Sequence, residues 1–190
     1  LIVFNNLFIY LYELMINQFK MKNLFALVIV TVLFSCQQPI TETAPTIIGY
    51  DISEEVRTPL TVGDISTVAV WEAYIKAHNE KDIATIEGLN ATKDFKVKGP
   101  KGEVFNGSEE HTTFLKTWFE SDVNPQWTTK FLIANAFTSK EGIVKQYVTS
   151  SHDVTLNIDG KKIKVNQIHD ALIVNGKVQE FTVHERVATE

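Results

Sequence analysis

The sequence predicts an α+β domain, and three observations carry that prediction. Apolar stripes at helical spacing occupy the stretch from Ser66 to Phe119. Four long runs of period two then fill Trp127 to Val187, and the last three of these are separated by Asp159-Gly160 and Asn175-Gly176, both strong two-residue hairpin signals. Helices first and an antiparallel meander afterwards describe a two-layer domain. Three N-terminal helices pack on one face of a strongly curved, mostly antiparallel sheet.

Each element has its own signature. Ser66 or Thr67 can cap a first helix running to about Asn79, in which Val68, Trp71, Tyr74, Ile75 and His78 form one stripe. Asp82 is a good N-cap for a short second helix with Ile83, Ile86 and Leu89 inward. Phe95-Lys96-Val97 alternates as an edge strand does, Gly99-Pro100-Lys101-Gly102 is turn chemistry, and Val104-Phe105 is a brief return strand. Asn106, Gly107 or Ser108 opens a third helix. Its first turn carries Glu109 and Glu110, which complement the helix dipole, and His111, Phe114, Leu115, Trp118 and Phe119 make its buried stripe. Strands are expected at Trp127–Thr138, Ile143–Val154, Ile163–Val174 and Val178–Val187.

Composition bounds the rest. The chain has 190 residues, 44% hydrophobic and 22% charged, with a formal net charge of −5, which gives no reason to expect a nucleic-acid partner. Its single cysteine excludes an internal disulfide framework and a thiolate zinc cluster. The apolar residues are unevenly spread, since 25 of the 84 lie in the first 35 positions. From Met21 the chain reads Met-Lys-Asn, then Leu24 to Phe34 interrupted only by Thr31, then Ser35-Cys36. Eleven helical residues rise only ~16 Å, against a hydrocarbon core of ~30 Å, so this reads as a secretory h-region and not a permanent span. The context Leu33-Phe34-Ser35-Cys36 resembles a bacterial lipobox, which implies that Cys36 is lipidated and becomes the mature N-terminus.

Four segments follow: residues 1–20 as an over-extended gene start, 21–35 as a lipoprotein signal peptide, 36–61 as a lipidated tether, and 62–190 as the domain. The tether reading rests on Pro39, Pro45 and Pro59 among Thr, Glu and Gln, without apolar periodicity. Gln37 and Gln38 offer no retention aspartate, so the expected location is the bacterial envelope, anchored in the outer membrane and facing the periplasm.

The order of elements, with Trp71-x-x-Tyr74-x-x-x-His78-Asn79-x-x-Asp82, Gly107 ahead of His111-x-x-Phe114, and His169-Asp170-Ala171 through Lys177-Val178, resembles the SnoaL-like branch of the nuclear-transport-factor-2-like superfamily. The resemblance covers residues 62–187 and implies a cone whose open end forms a pocket between helices and sheet. Members include isomerases, cyclases, epoxide hydrolases and proteins without known chemistry, so the fold does not supply the function. Ketosteroid isomerases use a base aspartate beside a proline, a first-helix tyrosine and a protonated late-strand aspartate, the last a standard case of a carboxylic acid kept neutral by its site. Tyr74 and Asp170 match two of these positions. Gly99 stands before Pro100 where the base would be. The Asp-Arg-Asp group of the epoxide hydrolases is also missing, because Arg57 and Arg186 are the only arginines.

The site residues expected on these grounds are Asp170 as acid or base, with Tyr74 and His78 assisting. Asp170 is placed in the pocket because it shares a strand face with the apolar Ile168, Leu172 and Val174. Trp71, His111, Phe114, Trp118, Phe131, His152 and Leu172 are expected to line the pocket. None of the five histidines has a His-x-His or His-x-x-x-His partner, so neither a metal nor any other cofactor is expected. Two readings follow: a lipid-anchored domain that binds a small, largely apolar molecule, or an acid/base enzyme of isomerase, cyclase or lyase type working through Asp170. Both faces of the 163–174 strand are apolar, which predicts a sheet-to-sheet homodimer.

Overall fold

The computed structural model describes residues 44–53 and 56–188. The expected signal peptide, the start of the chain and the lipidation of Cys36 lie outside those residues. Strands β1 (Ile47–Ser53) and β2 (Val56–Val62) come first, followed by helices α1 (Ser66–Glu80) and α2 (Ile83–Leu89). Short strands β3 (Lys96–Lys98) and β4 (Val104–Asn106), helix α3 (Ser108–Glu120), and the long strands β5 (Gln126–Thr138), β6 (Val144–Ile158), β7 (Lys161–Val174) and β8 (Lys177–Val187) complete the order. All eight strands form one sheet in the order β1-β2-β5-β6-β7-β8-β3-β4. Among the strand pairings of the described residues, only β3 against β8 is parallel. The α+β prediction and its meander hold.

Both hairpin dipeptides behave as their chemistry demands. Asp159 and Gly160 have φ of 51° and 75°, Asn175 and Gly176 have 51° and 70°, so both central residues of each turn are left-handed as a type I′ turn requires. At α2, the Asp82 side chain accepts from Thr85 N–H at 3.0 Å, the expected cap. The first helix departs from expectation. Asp64, not Ser66 or Thr67, satisfies its free N–H groups: Asp64 Oδ1 accepts from Ser66 N at 2.9 Å, and the Asp64 carbonyl accepts from Thr67 N at 3.1 Å.

The tether expectation is corrected from Ile47 onward. Residues 47–62 form a hairpin that extends the sheet beyond β5, with Leu60, Thr61 and Val62 opposite Phe137, Ala136 and Asn135. Pro59 misled the reading: it lies within β2 opposite Tyr50 of β1, and pairing with β5 begins one residue later, so at Pro59 the strand is paired on one side only. Gly63 completes the junction by giving its N–H to the Ala134 carbonyl at 3.1 Å. A Cβ there would lie 2.7 Å from Asn135 N, so only glycine permits that approach.

The core lies between the helices and the concave face of β5–β8, built on Trp71, Tyr74, Ile86, Leu115, Val148, Val154, Val178 and Phe181. Asn79 pins α1 to the start of the meander. Its amide donates to the Trp127 carbonyl at 2.9 Å, and its oxygen accepts from Trp127 N–H at 2.8 Å. These paired bonds give the Asn79 of the sequence motif a positioning role: they fix the helix axis over the sheet and turn the Trp127 side chain inward.

Candidate functional site

A cavity of about 270 Å³ opens between helices α1 and α3, the β3–β4 turn and the concave sheet face. Helix α1 contributes Trp71, Tyr74, Ile75 and His78, and α3 contributes His111, Phe114, Leu115 and Trp118. These are the stripes that helical periodicity marked. From the sheet come Trp127, Gln167, His169, Phe181 and Glu185, while Lys101 and Glu103 of the β3–β4 turn stand at its edge.

The wall is an aromatic lattice. Trp71 stacks on Tyr74 with centroids 5.2 Å apart, and Phe181 meets Trp71 edge-on at 5.4 Å. His111 sits 5.5 Å from Phe95 and 5.9 Å from His78. Toward solvent, Phe105, Phe114 and Trp118 continue the lattice, at 4.7 and 5.7 Å. Such contacts fix ring orientations as well as burying area.

Polar groups in this apolar setting are almost all committed. The Tyr74 hydroxyl donates to Asn90 Oδ1 at 2.7 Å, and the Asn90 amide donates onward to Ser108 Oγ at 2.8 Å. Trp71 Nε1 donates to Ser150 Oγ at 2.9 Å, and Ser150 Oγ lies 2.8 Å from His152 Nε2. Trp127 Nε1 and His169 Nε2 both converge on Gln167 Oε1 at 2.9 Å, and Gln167 Nε2 donates to Glu185 Oε2 at 2.7 Å. Among the described residues, two buried side-chain nitrogens have no partner: His111 Nδ1 and His169 Nδ1.

Burial decides the charge of these histidines. It pulls His78 down to about 4, against a smaller opposing effect of the Tyr74 carbonyl, and His111 to about 3, helped by the neighbouring His78. His169 falls well below 6.5 through burial first, then through the other histidines around it. Behind them His152 falls to about 4 from burial alone. All four are neutral at pH 7, and the interior carries no formal charge from them. Burial likewise pushes the Tyr74 hydroxyl well above its ordinary value, keeping it protonated.

Six expected residues therefore meet at one cavity: Trp71, Tyr74, His78, His111, Phe114 and Trp118. Four do not. Asp170 projects from the opposite, outer face of β7, where its carboxylate accepts from Thr149 Oγ1 at 2.7 Å. From Val165 to Ala171 the buried positions of β7 are Val165, Gln167, His169 and Ala171, so the concave face has the other parity. Both faces of this strand carry apolar residues, and the alternation alone could not choose between them. Leu172 shares the outer face with Asp170 and is buried opposite Tyr147.

Phe131 is turned outward by an irregularity in β5. The register shifts between Thr129 and Phe131, so that period two counted from the inward Trp127 fails by one residue. His152 is on the concave face but lies behind Trp71 and His169, its ring 4.6 Å from that of His169, and does not line the cavity. Conversely, the sequence reading missed His169 and Gln167. Their signal was the run Gln167-Ile168-His169, two hydrogen-bonding side chains at strand spacing among apolar neighbours.

No protein-family model matches the sequence, and no curated protein matches it closely. Solved structures do resemble the fold. A ketosteroid-isomerase-like protein from Kribbella flavida DSM 17836 aligns with TM-score 0.50 at 20% identity, covering 65% of this chain and 80% of the other. An LEH-like epoxide hydrolase from M. tuberculosis aligns at 0.52 and 12% identity, over 63% and 82% of the two chains. A SnoaL-like protein of polyketide-cyclase type from Shewanella denitrificans OS-217 aligns at 0.52 and 12%, over 65% and 92%. At these identities the likeness is one of fold.

Proposed function

Taking the chain as a SnoaL-like form of the nuclear-transport-factor-2-like fold, we propose that it is a binding domain whose cone holds one compact, largely apolar molecule. One observation carries this reading: an aromatic cavity of about 270 Å³ whose three lining histidines, His78, His111 and His169, are neutral. Its volume lies just under the roughly 300–1,000 Å³ of ordinary small-molecule sites, which suits a molecule of one to three rings. Asp170 on the outer face leaves the cavity without the carboxylic acid that acid/base chemistry was to use. Native mass spectrometry of the freshly purified protein is expected to show a co-purifying small molecule, released on denaturation. The three tryptophans line the cavity, so their fluorescence should change when that molecule is added back. A mass equal to the bare chain, with no fluorescence response to any small aromatic compound, would sink the reading.

The anchoring reading is carried by sequence alone. Cys36, preceded by Leu33-Phe34-Ser35, would take a diacylglycerol and hold the domain at the periplasmic face of the outer membrane. Cys36→Ser should move the protein from the detergent phase to the aqueous phase on phase partition; retention in the detergent phase would refute lipidation. A homodimer through the outer sheet face is supported by Phe131, Ile133 and Ile168, which are 45%, 48% and 37% exposed. Beside Phe131 and Ile168 the surface groove carries Lys130 and Arg186 with Asp153, a mix of signs that a second copy can complement. Light scattering should give twice the monomer mass, and Phe131→Glu should halve it.

A further inference from the structure

The hydrogen-bond network behind the cavity fixes which of its nitrogens carry protons. Gln167 Nε2 donates to Glu185, and Trp127 Nε1, which can only donate, reaches Gln167 Oε1. The reversed amide would set donor against donor at Trp127 and acceptor against acceptor at Glu185. Gln167 Oε1 therefore also faces His169 Nε2, at 2.9 Å, and that nitrogen must hold the proton. A neutral imidazole has one N–H, so His169 Nδ1, buried and unpartnered, is a bare lone pair.

His78 reaches the same result through the opposite tautomer. Its Nδ1 lies 2.8 Å from the Tyr74 carbonyl, which can only accept, so Nδ1 carries the proton and Nε2 the lone pair. The Tyr74 hydroxyl is occupied by Asn90, the Trp71 indole by Ser150 and the Trp127 indole by Gln167, so none of these three donors balances the two acceptors. Among the described residues, no hydrogen bond fixes the tautomer of His111, which can adapt to either sense.

We propose that the cavity selects a neutral hydrogen-bond donor, a compact apolar ring system bearing an N–H or O–H group that is accepted by His169 Nδ1 or His78 Nε2. At these two nitrogens a ligand that offers only a carbonyl or ether oxygen finds lone pair facing lone pair, and an anion finds no formal charge on these histidines to meet it. This inference rests on the small-molecule reading above and specifies the ligand's polar group.

Three isosteric probes test it by calorimetric titration: indole carries N–H where benzofuran carries a ring oxygen and indene a methylene. Indole is expected to bind about fivefold more tightly than benzofuran or indene, the ratio of one ordinary hydrogen bond. His169→Phe removes the acceptor, so indole's advantage over the other two probes should shrink. Equal binding of all three probes to the unaltered protein would overturn the donor preference and leave the apolar-cavity reading standing. Binding of none would overturn both. Nitrogen-15 spectra of the unaltered protein give a readout that needs no variant. They should show His169 protonated on Nε2 and His78 on Nδ1, and the opposite tautomer at His169 would refute the proposal.

Discussion

His169 and Gln167 lie two residues apart on the concave face of β7, and His169 Nε2 donates to Gln167 Oε1 at 2.9 Å. Two residues along a strand is the shortest distance at which side chains share a face, so the pair needs no long-range folding to form. Its orientation is set from outside the pair, by Trp127 of β5 and Glu185 of β8. Gln167 thus joins three strands through one amide.

Replacing Gln167 by Leu, of similar size, removes that amide and strands two buried donors, Trp127 Nε1–H and His169 Nε2–H. An unsatisfied buried donor costs about 1–3 kcal/mol. The variant should lose about 2–5 kcal/mol in urea unfolding with an unchanged m-value, since the fold itself is the same. A loss under 1 kcal/mol would mean that water enters and satisfies both donors.

The buried histidines make stability depend on pH in a definite direction. In the unfolded chain each titrates near 6.5; in the folded protein His78 and His152 do so at about 4 and His111 at about 3, with His169 also lowered. Between those values the unfolded chain binds more protons, so stability is full above about pH 6.5 and falls as the solution is acidified, until the folded values are passed. Each unit of difference is worth about 1.4 kcal/mol. Ordinary carboxylates titrate near 4, so a decline between pH 6.5 and 5 belongs to the histidines. Thermal melts across that window should show a steadily falling midpoint, and a flat midpoint would contradict neutral burial.

Asp170 gives the complementary case, a residue whose sequence context pointed to the site and whose position does not. Asp170→Ala removes the acceptor of the Thr149 hydroxyl on the outer face, where the neighbouring Asn135 amide still reaches Thr149 at 3.0 Å. The cost should be about 1 kcal/mol, and affinity for any cavity ligand should stay within about twofold. A tenfold loss of affinity would return the carboxylate to the pocket.

Legibility followed from which physical signals are local. Helical stripes, the Asp82 cap and the two I′ turns depend on neighbours within a few residues, and each was readable. The α1 and α3 lining residues came with them, because a helix that buries one stripe next to a cavity also lines it. Face choice in the sheet was not local. On β7, Ile168 and Leu172 oppose Val165, Ala171 and Ile173, so apolar content is balanced between faces, and the choice is made by partners such as Trp127 and Phe181 on other strands. The irregularity at Thr129/Phe131 inverts β5 parity with no glycine or proline to announce it. Pro59 gave a false signal for the hairpin of residues 47–62, since proline is tolerated where a strand is paired on one side only, as β2 is at that residue.

Tyr74 separates the family-derived role from the one its bonds support. The resemblance to ketosteroid isomerases would make its hydroxyl a donor to a bound oxygen, whereas here it donates to Asn90, which in turn holds Ser108 at the start of α3. The hydroxyl therefore ties α1 to α3 through Asn90, the residue that ends α2. Tyr74→Phe should cost about 1–2 kcal/mol of stability, because Asn90 Oδ1 is left buried with one partner fewer. Ring stacking on Trp71 is retained, so the cavity wall keeps its shape. Affinity for a cavity ligand should change by less than about twofold, equivalent to well under 1 kcal/mol. A tenfold loss of affinity at unchanged stability would show the opposite: that the hydroxyl leaves Asn90 when a ligand enters and donates to it.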